Sequence, residues 1–415
     1  MMKSSRLGER RWCTIIALVV VVIGLLCLFI LYPILDDNKP TNPSGLSIHH
    51  IRRPSVWIDS DTPEEWRSLN FSNTNFDLVF SDEFNQDGRS FGPGEDKAWE
   101  AVNLPSRLPD LTSYNSDAIT TQGGSLVITL TADQDNSQTY SSGMLQSWNK
   151  FCFTGGFIQA RVSFPVNSQG LSPSLWTMGN LARPGYPATT DGVWPYSYDS
   201  CDAGITQQPP ISSLHSQKLN KCLCKNDDTP SPGKGRGAPE IDLIGTRGME
   251  FSQSFKVAPF DNIHQTNEEK TAEVLSANIY IPNDNYHTYG FKYQPGPDGY
   301  IQWYHDDYAK HRMSANDIGP DPSTNVTQRL IPEEPMSIIV NLAVGKLFQS
   351  NALPVTMNVD YIRVYQDRKS INIGCDPEAF PTAAYIKKHS DIYNNSSLTA
   401  WPHSFPGYSF SGVCV

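Results

Sequence analysis

From Phe76 onward the chain is a succession of short runs of β-branched and aromatic residues, set apart by Gly, Pro and Asn. That rhythm leaves few folds open to it. Phe76–Phe80, Ser125–Leu130, Gly156–Val162, Thr288–Tyr293, Tyr300–Tyr304, Met336–Val340 and Val355–Tyr361 all read as strands. Many of them alternate apolar and polar residues with a period of two, as half-buried strands do. Beyond residue 36 no stretch sustains a helical apolar period. Many short strands, frequent turn signals and almost no helix predict an all-β sandwich. Apolar residues make up 39% of the 415, enough for a substantial core, and charged residues only 18%, which excludes a charged disordered chain. The net charge of −11, with no basic run after the first eleven residues, excludes nucleic acid as a partner.

Cys13 to Leu35 carries no charge and exceeds the roughly 20 residues needed to cross a bilayer. Lys3, Arg6, Arg10 and Arg11 precede it, and Asp36 and Asp37 follow. The positive-inside rule then holds the amino terminus in the cytosol and exports the rest. A cleaved signal peptide has a shorter apolar region and a small-residue cleavage site, so a signal anchor is expected. This divides the chain into a cytosolic tail (1–11), a transmembrane anchor (12–35), a stem rich in Asn, Pro, Ser and Asp (36–75), a β domain (76–366) and a C-terminal extension (367–415). The expectation is a single-pass type II membrane protein of the secretory pathway or plasma membrane, with its β domain luminal or extracellular.

Exported chemistry fits this topology. Asn70, Asn325, Asn394 and Asn395 head N-glycosylation acceptor triplets. Cys152, Cys201, Cys222, Cys224, Cys375 and Cys414 form an even set suited to three disulfides, whose pairing the spacing leaves open among 15 arrangements. Residues 183–239, rich in Pro and Gly and containing three of these cysteines, read as a long disulfide-tied loop. Cys222-x-Cys224 matches no zinc module, and His287 and His305 are isolated in the sequence, so no metal site and no cofactor are expected.

The segment with chemical promise is Ala238-Pro239-Glu240-Ile241-Asp242-Leu243-Ile244-Gly245. On a strand, Glu240 and Asp242 share one face while Ile241 and Leu243 point to the other. Paired acids on a sheet face are costly unless one is protonated, hydrogen-bonded or in use, and sugar cleavage exploits such pairs.

This strand, together with Leu78–Asn85, Met144–Gly156, Leu175–Asn180, Asp191–Asp202, Asp360–Tyr365 and Asn372–Pro377, resembles glycoside hydrolase family 16. In particular it is similar to the fungal membrane-anchored branch associated with β-1,6-glucan synthesis. The resemblance runs from about Phe76 almost to the end. It implies a β-jelly-roll with a sugar-binding cleft across one sheet, acting in β-glucan and cell-wall assembly, with β-glucan polysaccharide as partner. Family strands read Glu-x-Asp-x-x-Glu or Glu-x-Asp-x-Glu, which maps the nucleophile to Glu240 and the assisting acid to Asp242. In the longer spacing a β-bulge returns the last Glu to the cleft. Here position 245 is Gly and position 244 is Ile, so the acid/base carboxylate is missing in either register, and nothing in the spacing of Glu250 puts it in the cleft. Ser172 also stands where relatives usually carry Trp. The resemblance places Trp148, Trp176, Trp194 and Trp303 as sugar-stacking candidates, since flat rings suit pyranose faces; Trp303, within an alternating strand, can equally be core. The expected function is therefore a membrane-anchored β-glucan-processing or β-glucan-binding protein. The alternatives are a catalytically inactive glucan-binding scaffold and a secretory-pathway structural protein.

Overall fold

The computed structural model of the chain describes residues 56–402, apart from 72–73, 107–110, 134–138, 165–169, 194–200, 202–216, 248–249, 258–284, 321–325, 345–347 and 349–352. The expected anchor lies outside the described residues; among those described, no helix is long and apolar enough to cross a membrane. The same holds for Trp194, Asn325 and Cys414, which are not described.

In chain order the strands are β1 (Ser68–Phe71), β2 (Thr74–Asp82), β3 (Glu100–Ala101), β4 (Thr112–Tyr114), β5 (Ile119–Gln122) and β6 (Ser125–Ala132). They continue as β7 (Tyr140–Ser142), β8 (Met144–Gln146), β9 (Gly156–Ser163), β10 (Leu171–Gly179), β11 (Glu240–Arg247) and β12 (Glu250–Phe255). The last are β13 (His287–Gln294), β14 (Tyr300–His305), β15 (Tyr308–Ser314), β16 (Met336–Val344) and β17 (Val355–Asp367). Every run read as a strand from sequence falls inside one of these.

The strands form two sheets. The larger has eleven strands and is built on the order β15-β14-β13-β9-β17-β6-β7-β4, with β2 also paired to β17; the smaller runs β12-β11-β10-β16-β8-β3. One hydrophobic core joins them. The large sheet contributes Ile158, Ala160, Phe291, Trp303 and Val364, and the small sheet Leu171, Leu175, Ile241, Val340 and Leu342, all buried. Each fully buried Leu, Ile or Phe contributes about 1.5–3 kcal/mol, so this shared core holds the sandwich together. On β10 the alternation is plain: Leu171, Pro173 and Leu175 are buried, whereas Ser172, Ser174 and Trp176 are partly open on the outer face.

The packed region begins earlier than expected. Residues 56–71, read as stem, dock on the sandwich: β1 pairs with β2, Trp57 packs on the core, and the buried Thr62 hydroxyl donates to Glu83 at 2.7 Å. Glu83 had a buried arginine to balance, Arg363, which holds it at 2.9 and 2.6 Å. The described part of this polar segment thus consists of one short strand and a turn.

The described part of the C-terminal extension, residues 367–402, packs on the β domain. Its helices Ala383–Lys388 and Ser390–Tyr393 bring Tyr385, Ile386, Ile392 and Tyr393 into a second cluster with Met178, Leu181 and Ile339. Disulfide Cys152–Cys375 fastens it to the loop after β8, and Cys201–Cys222 ties the long loop to itself; Cys224 is disulfide-bonded too.

Candidate carbohydrate site on the six-stranded sheet

Strand β11 contains a bulge, and the bulge builds the site. Against β12, Asp242 pairs with Ser254 but Gly245 pairs with Ser252, so three steps on β11 answer two on its partner. Against β10 the same extra residue appears, Trp176 meeting Asp242 and Leu175 meeting Ile244. Leu243 and Ile244 are consecutive, yet both are fully buried in the core. Inserting that residue restores the outward face at position 245. Glu240, Asp242 and Gly245 consequently line one cavity of about 320 Å³ on the outer face of the small sheet.

Gly245 is not required there by the backbone, since it is absent from the glycines with positive φ. A Cβ at this position would meet nothing closer than Asp242 Oδ2 at 3.7 Å, an ordinary contact. Space for a side chain thus stands open beside the carboxylate pair. Glu240 and Asp242 are the carboxylates among the described lining residues. Glu250, on the next strand, pairs with Arg247 at the hairpin end; its side chain lies outside the described residues.

The pair is asymmetric. Asp242 is buried, accepts from the Ser254 hydroxyl and is hydrogen-bonded to Glu240. Burial first, and the charge of Glu240 second, push the Asp242 carboxyl up to about 7, against the opposing pull of Lys256 and Ser254. Glu240 is more open and its Oε1 lies 2.5 Å from Lys256 Nζ. Below about pH 7 Asp242 thus holds its proton beside Glu240, with the Lys256 ammonium against the outer acid.

A raised native pKa means the folded chain holds a proton that the unfolded chain has released. Stability is therefore expected to fall as pH rises from about 4, where an unfolded Asp titrates, to about 7. The limiting slope is about 1.4 kcal/mol per pH unit. Denaturant melts from pH 4 to 8 should show this fall in the wild type and a flatter profile in Asp242→Asn. Equal slopes in both would contradict the assignment.

The rest of the cavity comes from strands remote in sequence. Trp176 Nε1 donates to Asn341 Oδ1 at 2.9 Å, and Asn341 Nδ2 donates to the Tyr114 hydroxyl at 3.2 Å. Asn341 thus fixes the orientation of two aromatic rings that line the cavity. An Asn in the middle of the apolar run Met336–Val344 was the one sequence signal for it. Tyr114, on a three-residue strand far from β11, carried none. Ser254, on β12, and Lys256, one residue past its end, carried no signal beyond following β11 directly in the chain.

Of the four tryptophans expected to stack on sugar, Trp176 alone is seen in the cavity. Trp303 is a correction: it is fully buried between the sheets, its Nε1 donating to the Asp242 carbonyl at 3.0 Å, so it supports the bulged strand from beneath. Trp148 is also displaced from the expectation. It stacks on Tyr393 of the tail at 5.8 Å and lies under Arg183 at 4.7 Å, outside the cavity lining. Trp194 lies outside the described residues. Asn70, Asn394 and Asn395 are exposed.

The pattern of "Beta-glucan synthesis-associated protein SKN1/KRE6/Sbg1" matches residues 1–283 and 271–414. Beta-glucan synthesis-associated protein SKN1 of Candida albicans is 39% identical over 85% of this chain and 54% of its own length. KRE6 of the same organism is 36% identical over 98% and 63%, and KRE6 of Saccharomyces cerevisiae 38% over 86% and 56%. The chain therefore spans between 54% and 63% of the length of these relatives. Among solved structures, the endo-beta-1,3-glucanase of Pyrococcus furiosus aligns over 72% of this chain and 98% of its own at 18% identity, with a TM-score of 0.45.

Proposed function

The chain belongs to the family of β-glucan synthesis-associated proteins SKN1/KRE6/Sbg1, and on that premise we propose that it binds β-glucan in the β11 cavity and presents it for wall assembly without hydrolysing it. The observation that carries this reading is Gly245 at the position the bulge returns to the site, with open space beside Asp242. Retaining hydrolysis requires two carboxyl groups about 5–5.5 Å apart on opposite sides of the scissile bond, one to attack and one to protonate the leaving oxygen. Here Glu240 and Asp242 neighbour each other on one strand, share a proton, and face no third carboxylate among the described lining residues. The Lys256 ammonium further engages Glu240 and weakens it as a nucleophile. What remains is a binding surface: Trp176 and Tyr114 offer ring faces, while Asn341, Ser174, Ser252 and Ser254 offer hydrogen bonds to sugar hydroxyls.

The proposal includes the membrane setting. The uncharged run Cys13–Leu35 with its basic leading flank supports a type II anchor holding this domain on the luminal or extracellular side. The disulfides and the exposed Asn70, Asn394 and Asn395 acceptors suit that compartment. A second reading, glucan transfer by the same site, is favoured by the retained Glu240–Asp242 pair.

Calorimetric titration of β-1,3- and β-1,6-linked gluco-oligosaccharides into the purified full chain tests binding. Trp176→Ala is expected to weaken it roughly tenfold to a hundredfold, the loss of about 1.5–3 kcal/mol of ring burial. Unchanged affinity in Trp176→Ala, with heat still evolved, would move the binding site elsewhere; no heat from the wild type would remove the glucan assignment.

A further inference from the structure

The histidines that stand isolated in the sequence are neighbours in the fold. Pairing of Tyr289 with His305 across the β13–β14 register brings His287 alongside them, and the two imidazole centroids lie 5.6 Å apart. Asp306 follows at the start of the two-residue turn into β15. Its Oδ2 sits 2.7 Å from His287 Nδ1 and 3.6 Å from His305 Nε2. One ligand atom from each of the three residues falls within 4.8 Å of the others.

We propose that His287, His305 and Asp306 form a binding site for a divalent transition-metal ion of the zinc type. Four ligands at about 2.0–2.1 Å around a tetrahedral ion stand roughly 3.3 Å from one another, and the separations of Asp306 Oδ2 from the two imidazoles, 2.7 and 3.6 Å, bracket that value. Two imidazoles and a carboxylate are a borderline-soft donor set, suited to zinc and its neighbours rather than to calcium or magnesium. A plain His287–Asp306 hydrogen bond accounts for only part of the arrangement. His305 Nε2 is buried with no hydrogen-bond partner, and the hydroxyl of Tyr289, stacked on His305 at 4.9 Å, is likewise buried and unpartnered. An ion on His305 Nε2 supplies the close partner that Asp306, at 3.6 Å, does not.

The carboxylate is positioned for the role. Asp306 and Asp307 both have positive φ, 49° and 65°, values that favour Gly or Asn in a two-residue hairpin turn. Asp306 is held there by Thr288, whose N–H donates to Oδ1 at 2.9 Å while its carbonyl accepts from Asp306 N–H at 2.8 Å. A metal would cross-link this turn to β13 on the large sheet. The site is separate from the glucan cavity and independent of its reading.

Zinc uptake by the purified full chain, stripped with chelator and re-equilibrated with Zn²⁺, tests the proposal by elemental analysis and by melting temperature. The wild type is expected to retain one tightly held zinc and to melt higher with it, because an ion bound only by the native state stabilises that state. His305→Gln and Asp306→Asn should each weaken that zinc at least tenfold and lose the shift, whereas His311→Gln and the double variant His49→Gln/His50→Gln should keep both. Should a variant fail to fold, zinc-edge X-ray absorption of the wild type decides: two imidazoles in the ligand shell are expected. A folded wild type that takes up no zinc, variants that hold it equally well, or a shell of oxygen alone would overturn the site.

Discussion

Gly245→Glu is expected to raise β-glucan cleavage by about 10²–10⁴-fold over the wild type, the usual contribution of a positioned general acid/base. The bulge in β11 already presents position 245 to the cavity, the backbone there is of ordinary φ, and a Cβ meets only Asp242 at 3.7 Å. The new carboxyl would join Glu240 on the cavity face, supplying the acid that protonates the leaving oxygen and later the base that activates water. Reducing-end release from β-1,3-glucan measures the gain, with Gly245→Gln as the uncharged control. A silent Gly245→Glu that folds and still binds glucan would show that Glu240 is no longer competent as a nucleophile; equal gains in the Gln variant would contradict the acid/base account.

The largest stability effect is expected at Arg236→Ala, a loss of about 3–5 kcal/mol. Arg236 and Glu334 are both fully buried and meet through two bonds of 2.8 Å. Arg236 also donates to Ser231 Oγ and to the Pro381 carbonyl, and Glu334 accepts from Gly237 N–H. This one pair binds together the end of the long loop, the approach to β16 and the C-terminal extension, four residues before Glu240. Removing the guanidinium strands a buried carboxylate, whereas Arg236→Met combined with Glu334→Leu removes both charges and should recover most of the loss. Equilibrium denaturation measures both; a cost below about 1 kcal/mol for the single variant would mean that water replaces the arginine.

The strands were legible because they are short β-branched and aromatic runs set off by turn residues, several with period-two alternation as in Leu171–Trp176 and Tyr300–Tyr304, while others such as Met336–Val344 are buried throughout. The alternation also contained the answer for Trp303, whose neighbours in Tyr300–Tyr304 place it inward, although a ring of that size invites a sugar-binding reading. Residues 56–71 have the short structure their polar composition allows, and they dock through a few groups, Trp57, Thr62 and the strand β1. The site was legible in its carboxylates and its vacancy at 245, since both lie on one strand. The bulge itself was visible only through resemblance, because Leu243 and Ile244 read as an unbroken apolar run. Asn341 reaches the cavity by the pairing of β16 with β10, distant in the chain, Tyr114 through its hydrogen bond to Asn341, and Lys256 from the residue that follows β12. His287 and His305 converge for the same reason: a hairpin register, which no local pattern announces, sets them side by side.

The most direct test of the central claim incubates the purified wild-type chain with β-1,3- and β-1,6-glucans and follows, in the same sample, bound glucan and every product of cleavage or transfer. Saturable binding with the glucan recovered intact is the predicted result. Chain shortening or new linkages that disappear in Glu240→Gln would contradict it, for the wild-type site would then find its acid in a group other than residue 245.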